Sequence, residues 1–175
     1  MPHSPSLPTA SNPSASGTTF YGSSIITAPA DLIWTTLLDF QNYTWNTFTP
    51  TADFSSPPQV GRAGTISVRI TPDNPRSRPT HVQVTLVDSA ARRLCSKSTD
   101  YPSWALRPER MQEIMELGDG KCEYRSWETI AGHGAWVVAL MMGGQLDEAN
   151  RRCGEDLKRI VKSKIRKNDN QLWSE

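Results

Sequence analysis

Along most of this chain hydrophobic and polar residues alternate, and helical spacing replaces that alternation in two regions. Residues 20–27 read as a first strand. From Pro29 the pattern changes, and Ile33, Trp34, Leu37 and Leu38 share one face at helical spacing. Pro29 suits a first helical turn, where its missing N–H leaves no bond unmade. Asp31 falls where the positive end of the helix dipole favours a carboxylate. The helical pattern fades at residues 39–42, and the large rings of Tyr43 and Trp45 follow. Alternation then returns in a series of strands: a short one within 48–54, stopped at Ser56-Pro57-Pro58, then 65–70, 81–87 and 94–99. A proline-punctuated loop occupies 72–79, and an irregular stretch at 101–108 carries Trp104. Residues 109–117 and 121–130 form a hairpin across Gly118-Asp119-Gly120, with Asp-Gly as the turn signal.

The second helical region is longer. From residue 135 to about 167, Leu146, Ala149, Cys153, Leu157, Ile160, Val161 and Ile165 recur at helical spacing with no proline among them. Gly143-Gly144 marks the place where this helix is expected to kink or break. Because helices bracket the strand series, the pattern predicts an α+β fold, not a parallel βαβ sheet. Residues 1–18 are mostly Pro, Ser, Thr and Ala, and such a stretch buries too little to offset its ordering entropy. They are expected to be a disordered tail, with one domain over 19–168 and a short C-terminal tail at 169–175.

Composition narrows the function classes. A chain of 175 residues is one domain in size, and its net charge of +1 gives no reason to expect nucleic acid as a partner. No apolar run approaches the length of about 18 residues that a spanning helix needs. The N-terminus lacks the basic and apolar regions of a secretory signal. Cys95, Cys122 and Cys153, odd in number and far apart, suit free thiols of a reducing compartment, so a cytoplasmic protein is expected. They show no C-x-x-C spacing, so no metal site and no cofactor is expected, and no phosphate or dinucleotide loop is present. His133, between Gly132 and Gly134, reads either as a proton shuttle or, more plainly, as a turn residue. Basic residues from Arg151 to Lys167 crowd the last helix. Its polar face and dipole account for most of them, and transient contact with an anionic membrane is the sharper alternative.

Two segments carry a resemblance. The opening Ala28-Pro29 followed by Trp34, and the run from Cys122 to Gly132 with Glu128 four residues before Gly132, resemble the START/Bet v 1-like (SRPBCC) superfamily. The likeness is closest to its polyketide-cyclase and lipid-transport members. In order of elements it covers residues 20–167. It implies a helix-grip fold, in which a curved antiparallel sheet wraps around the C-terminal helix over an apolar cavity that takes a hydrophobic small molecule.

Period-two alternation then selects residues for that cavity. On residues 121–130, Cys122, Tyr124, Ser126, Glu128 and Ile130 share a face. On 109–117, Met111, Glu113, Met115 and Leu117 share the more apolar one, and both sets are expected inward; a one-residue bulge would reverse part of this. Glu113 and Glu128 would then be general acid/base groups with raised pKa, and Tyr124 a donor to an enolate or carbonyl oxygen. Tyr43, Trp45, Trp104, Met111, Met115, Ser126, Leu140 and Gly144 are the expected ligand-binding positions. Plainer roles remain open for each: the two Glu as exposed or ion-paired strand residues with Arg125, Arg107 or Arg110, and the aromatics and methionines as core. The expected activities are a cofactor-free cyclase or dehydratase of polyketide or terpenoid biosynthesis, or a non-catalytic lipid, sterol or polyprenyl carrier, as monomer or homodimer.

Overall fold

The computed structural model describes residues 6–54, 58–71 and 77–172, the side chains of 169, 171 and 172 excepted. The expected break at Ser56-Pro57 and the core of the proline loop, 72–76, lie outside these residues. Strand β1 (Thr18–Thr27) leads into helix α1 (Ala30–Leu38), with Pro29 as its N-cap and Asp31 in its first turn. A 3₁₀ segment, Phe40–Trp45, follows. The strands β2 (Thr51–Asp53), β3 (Ala63–Val68), β4 (Arg78–Asp88), β5 (Arg93–Ser98), β6 (Arg107–Gly118) and β7 (Lys121–Ala131) come next, and α2 (Ala135–Leu172) closes the chain. The strands form one curved antiparallel sheet in the order β1-β7-β6-β5-β4-β3-β2, an α+β helix-grip arrangement. Its first strand pairs with its last, β1 and β2 form its two edges, and the sheet curves around the helix that follows it in the chain.

Helix α2 crosses the concave face. Ala149, Cys153, Leu157 and Val161 meet Ile33 and Leu37 of α1 and Ile26, Ile114 and Tyr124 of the sheet. Contact with β1 is close enough to exclude a side chain: a Cβ at Gly22 would stand 2.3 Å from the backbone nitrogen of Arg151. The turn into α2 needs Gly132, whose φ of +105° suits glycine and whose Cβ would collide with the Ala105 carbonyl. Gly143 and Gly144 do not break α2, which is helical through both. Burial of the Val138, Met142 and Leu146 side on the sheet holds the helix together there, offsetting the glycines' entropy cost.

Residues 6–17 depart furthest from expectation. They lie as a strap across the convex face instead of hanging free. Trp127 Nε1 donates to the Pro8 carbonyl at 3.0 Å, and Thr129 Oγ1 donates to the Leu7 carbonyl at 2.8 Å. The buried Glu109 carboxylate accepts from Thr9 Oγ1 at 2.5 Å and from the Ser11 amide and hydroxyl at 3.0 and 2.8 Å. Thr85 adds a donor at 2.6 Å from the sheet side. A segment with little apolar surface is thus placed by hydrogen bonds to a buried acid and by Leu7 packed on Trp127 and Met111. The C-terminal tail expected from 169 is helical as far as Leu172, while residues 1–5 and 173–175 lie outside the described residues.

Candidate functional site

The hairpin β6–β7 decides what faces the concave side, and its register differs from the expected one by one residue. A bulge between Glu116 and Gly118 pairs Glu116 with Cys122, Ile114 with Tyr124, Gln112 with Ser126 and Arg110 with Glu128. Directly paired residues share a face, and a shift of one residue flips every side chain on the strand. Tyr124, Ser126, Glu128 and Ile130 therefore point inward as expected, but their partners are Arg110, Gln112 and Ile114. Met111, Glu113 and Met115 lie on the convex face. Met111 is buried there beneath the strap, Met115 is exposed, and Glu113 takes the Arg93 Nε at 2.8 Å. Of the apolar residues that made this face look like the core side, the strap covers Met111, while Met115 and Leu117 are exposed.

Between the sheet and the first half of α2 lies a cavity of about 210 Å³. Phe48, Ile66, Val68, Ile70, Val82, Leu106, Ile130, Val138, Met142 and Leu146 give it apolar walls, and Arg110 and Glu128 reach it from adjacent strands. A satellite space of about 40 Å³ under Phe40, Tyr43 and Phe54 shares Thr49, Ile66, Val82, Ser96 and Arg110 with it, so Arg110 stands at the junction.

Arg110 is held along one edge and free along another. Its Nε donates to Ser126 Oγ at 3.0 Å, Ser126 Oγ donates to Asn150 Oδ1 at 2.8 Å, and Asn150 Nδ2 donates to the Leu146 carbonyl at 3.0 Å. Its guanidinium carbon lies 4.5 Å from the centre of the Phe48 ring, a cation–π contact. Nη2 is buried and has no hydrogen-bond partner among the described residues, and such an orphaned donor is costly in a folded protein. Burial alone would lower the Arg110 pKa, but the neighbouring Cys153, Tyr124, Glu128 and Tyr43 hold it above its ordinary value. It is a permanent cation here.

Glu128 behaves in the opposite sense. Desolvation pushes its carboxyl above the ordinary value, and Arg110 only partly opposes this. Among the described residues it takes no hydrogen bond or ion pair, and its remaining surface is cavity wall. An acid with a raised pKa beside a cation with a spare donor can move a proton at carbon while an oxyanion is stabilised.

The other expected residues are placed as follows. Tyr124 is fully buried and donates to Gln112 Oε1 at 2.7 Å, with Cys153 Sγ 3.4 Å away, and lines neither space. It orders the inner wall, and its hydroxyl is already committed. Ser126 is buried and positions Arg110. Tyr43 walls the satellite space with its hydroxyl donating to the Leu37 carbonyl at 2.9 Å, and Trp45 packs beside it at 5.1 Å between ring centres. Trp104 and Leu140 are solvent-exposed and Gly144 lies on the same outer side of α2, away from the cavity. Its inward side there is Val138, Met142 and Leu146. His133 is tied to the Trp104 carbonyl through its amide and, at 2.9 Å, its ring Nδ1. In the basic stretch of α2, Arg151 and Arg152 meet Glu148, Lys158 meets Glu155, and Arg159 meets Asp156. Among the described residues no three His, Cys, Asp or Glu gather as metal ligands, and no helix is long and apolar enough to cross a membrane. Sequence reasoning had named Arg110 only as an ion-pair partner. The bulge that brings it inward leaves no mark in the alternation itself.

No protein-family model matches the chain. It is 28% identical over 173 residues to the oxopyrrolidines biosynthesis cluster protein O of Penicillium oxalicum, covering 82% of this chain and 86% of that one. A START superfamily protein from Mycobacterium smegmatis superposes with a TM-score of 0.64 at 17% identity, over 83% of this chain and 97% of that one. The Zhui aromatase/cyclase from Streptomyces sp. R1128 superposes with a TM-score of 0.59 at 14% identity, over 81% and 94%.

Proposed function

We propose that this chain, which has the START/Bet v 1-like (SRPBCC) fold, is a cofactor-independent cyclase or dehydratase of natural-product biosynthesis that acts on a small carbonyl compound. The observation that carries the reading is the Arg110–Glu128 pair on the cavity wall, with Nη2 of Arg110 unpartnered. A biosynthesis-cluster relative and an aromatase/cyclase of the same fold support it.

In this mechanism the substrate carbonyl oxygen accepts from Arg110 Nη2. Glu128, as carboxylate, takes a proton from the carbon next to that carbonyl, and the electron pair moves onto the oxygen as an enolate held by the guanidinium. The enolate carbon attacks a second carbonyl of the same molecule, forming the ring bond. The Glu128 proton passes to the new alkoxide, and a second proton abstraction followed by loss of that hydroxyl, protonated to leave as water, gives the unsaturated ring. Phe48 and the Ser126–Asn150 relay fix the guanidinium before substrate arrives, so no reorganisation is needed during reaction.

Cavity size bears on the substrate. An engineered cavity of about 150 Å³ holds benzene, so the 210 Å³ space accepts one or two fused rings as it stands. That favours a compact substrate over a sterol or a polycyclic polyketide.

The test uses 2-tetralone, a bicyclic ketone of this size whose α-protons exchange measurably in D₂O by NMR. Accelerated exchange with the native protein is expected, with loss of acceleration in Glu128→Gln and a reduction of about 10²- to 10³-fold in Arg110→Met, the usual scale for removing an oxyanion donor. Tetralone binding that persists in every variant, with exchange no faster than in buffer even in the native protein, sinks the enzymatic reading and leaves the carrier.

A further inference from the structure

Besides the inner cavity there is a groove of about 740 Å³ on the convex face, between the strap and strands β1, β4, β5, β6 and β7. Met111, Trp127, Leu86 and Tyr21 form its apolar floor, and Leu7, Pro8 and Pro13 of the strap form the facing wall. The groove exists only because the strap is fixed on either side of it, at Glu109 and at the Trp127 indole.

Three charged residues line the groove in a row. Arg93, Glu113 and Arg125 are direct cross-strand partners on β5, β6 and β7. The Arg93 Nε is used on Glu113 at 2.8 Å, and Arg125 gives its Nε and Nη2 to Glu123 Oε2 at 2.9 and 2.6 Å. Both nitrogens at the far end of Arg93 and the Nη1 of Arg125 remain outside these hydrogen bonds. Both arginine side chains are partly exposed. The lining therefore offers an aromatic and thioether floor next to several planar N–H donors, on two arginines that are each paired along one edge with a carboxylate, Glu113 and Glu123.

We propose that this groove is a second ligand site, for an amphipathic organic acid with a flat apolar body and one carboxylate. The body lies between the strap and the Tyr21, Leu86 and Trp127 floor, and the carboxylate accepts from the free nitrogens of Arg93 and Arg125, which flank Glu113. The site is on the opposite face of the sheet from Arg110 and Glu128 and does not depend on the chemistry proposed there. A molecule bound here bridges strap and sheet, so its binding also stabilises the strap.

The test compares 2-naphthoate with its uncharged twin, methyl 2-naphthoate, by calorimetric titration of the full-length chain. In Arg93→Gln/Arg125→Gln, 2-naphthoate is expected to weaken by about ten-fold or more, as for lost charge-assisted hydrogen bonds. The ester should change little. Val138→Phe narrows the inner cavity and removes binding there; in that background Ala10→Trp, which fills the groove from an exposed strap position, should abolish binding of both compounds. Absence of 2-naphthoate binding to the native protein, equal binding by the Gln variant, or loss confined to Val138→Phe would each overturn the proposal. Circular dichroism on each variant separates loss of the site from loss of the fold.

Discussion

Glu109→Gln probes the feature that most changes the picture of this chain, the docked strap. Glu109 is 4% exposed and, as a carboxylate, is an acceptor only. Thr9, Ser11 and Thr85 all donate to it, four bonds of 2.5–3.0 Å, with the Cys95 thiol at 3.4 Å. Glutamine keeps one acceptor oxygen and turns the other position into a donor that faces donors. The Thr and Ser hydroxyls can rotate to accept, but the Ser11 amide cannot. The loss is therefore the charge-assisted part of the cluster, about 1.5–3 kcal/mol, and not four full bonds. Burial raises the Glu109 pKa, but the bonds from Thr85, Thr9 and Ser11 outweigh it and hold the carboxyl below its ordinary value. A folded pKa below the unfolded one stabilises above the unfolded value, near ~4.3 for glutamate, and that stabilisation disappears as pH falls through the folded value. The gap between native protein and Glu109→Gln should thus be full at pH 7 and shrink below about pH 4. Urea unfolding at both pH values measures it, and hydrogen exchange at the Ser11 amide should quicken in the variant. An equal gap at pH 7 and pH 3.5, or none at pH 7, refutes the ionised clamp.

Two glycines should respond in opposite directions. Gly22→Ala places a Cβ 2.3 Å from the Arg151 backbone nitrogen, so overpacking of about 1–3 kcal/mol or more is expected on denaturation. Gly144→Ala meets nothing within 4 Å on a helix and should stabilise by about 0.5–1 kcal/mol; a loss there would mean that the helix is strained at that point. Leu157→Ala removes a fully buried side chain between α2 and α1, with an expected cost of about 2–5 kcal/mol in the same assay. The Cys95 thiol, pushed up to about 12 chiefly by burial, should resist iodoacetamide at pH 8 in the native state; modification at the rate of a free thiol, read by mass spectrometry, would contradict that.

Much of the fold was legible because its signals are local. Pro29 and Asp31 start α1 where their chemistry places them, and Ile33, Trp34 and Leu37 are buried as the helical stripe requires. The alternation of β4 and β7, the Asp119-Gly120 turn and the apolar stripe of α2 are each contained within a few turns or residue pairs. Glu128 and Ser126 point inward as their alternation requires because the extra residue of the β6–β7 bulge, Leu117, is on β6, and β7 pairs with β1 in unbroken register.

Three features needed the tertiary structure, and each depends on contacts between distant residues. The bulge beside Leu117 moved β6 by one residue, exchanging Glu113 for Arg110 at the cavity; either register satisfies an Asp-Gly turn, and only packing of the two faces distinguishes them. The strap has no hydrophobic pattern of its own because its binding energy comes from Glu109, about a hundred residues later in the chain, where a buried carboxylate must find donors. Nor could the sequence show that Arg110 keeps a nitrogen unpartnered, since that depends on where Ser126, Asn150 and Phe48 stand once the sheet has closed. Periodicity by itself determined the elements and their order. Side-chain pairing across the sheet decided which groups meet in the cavity.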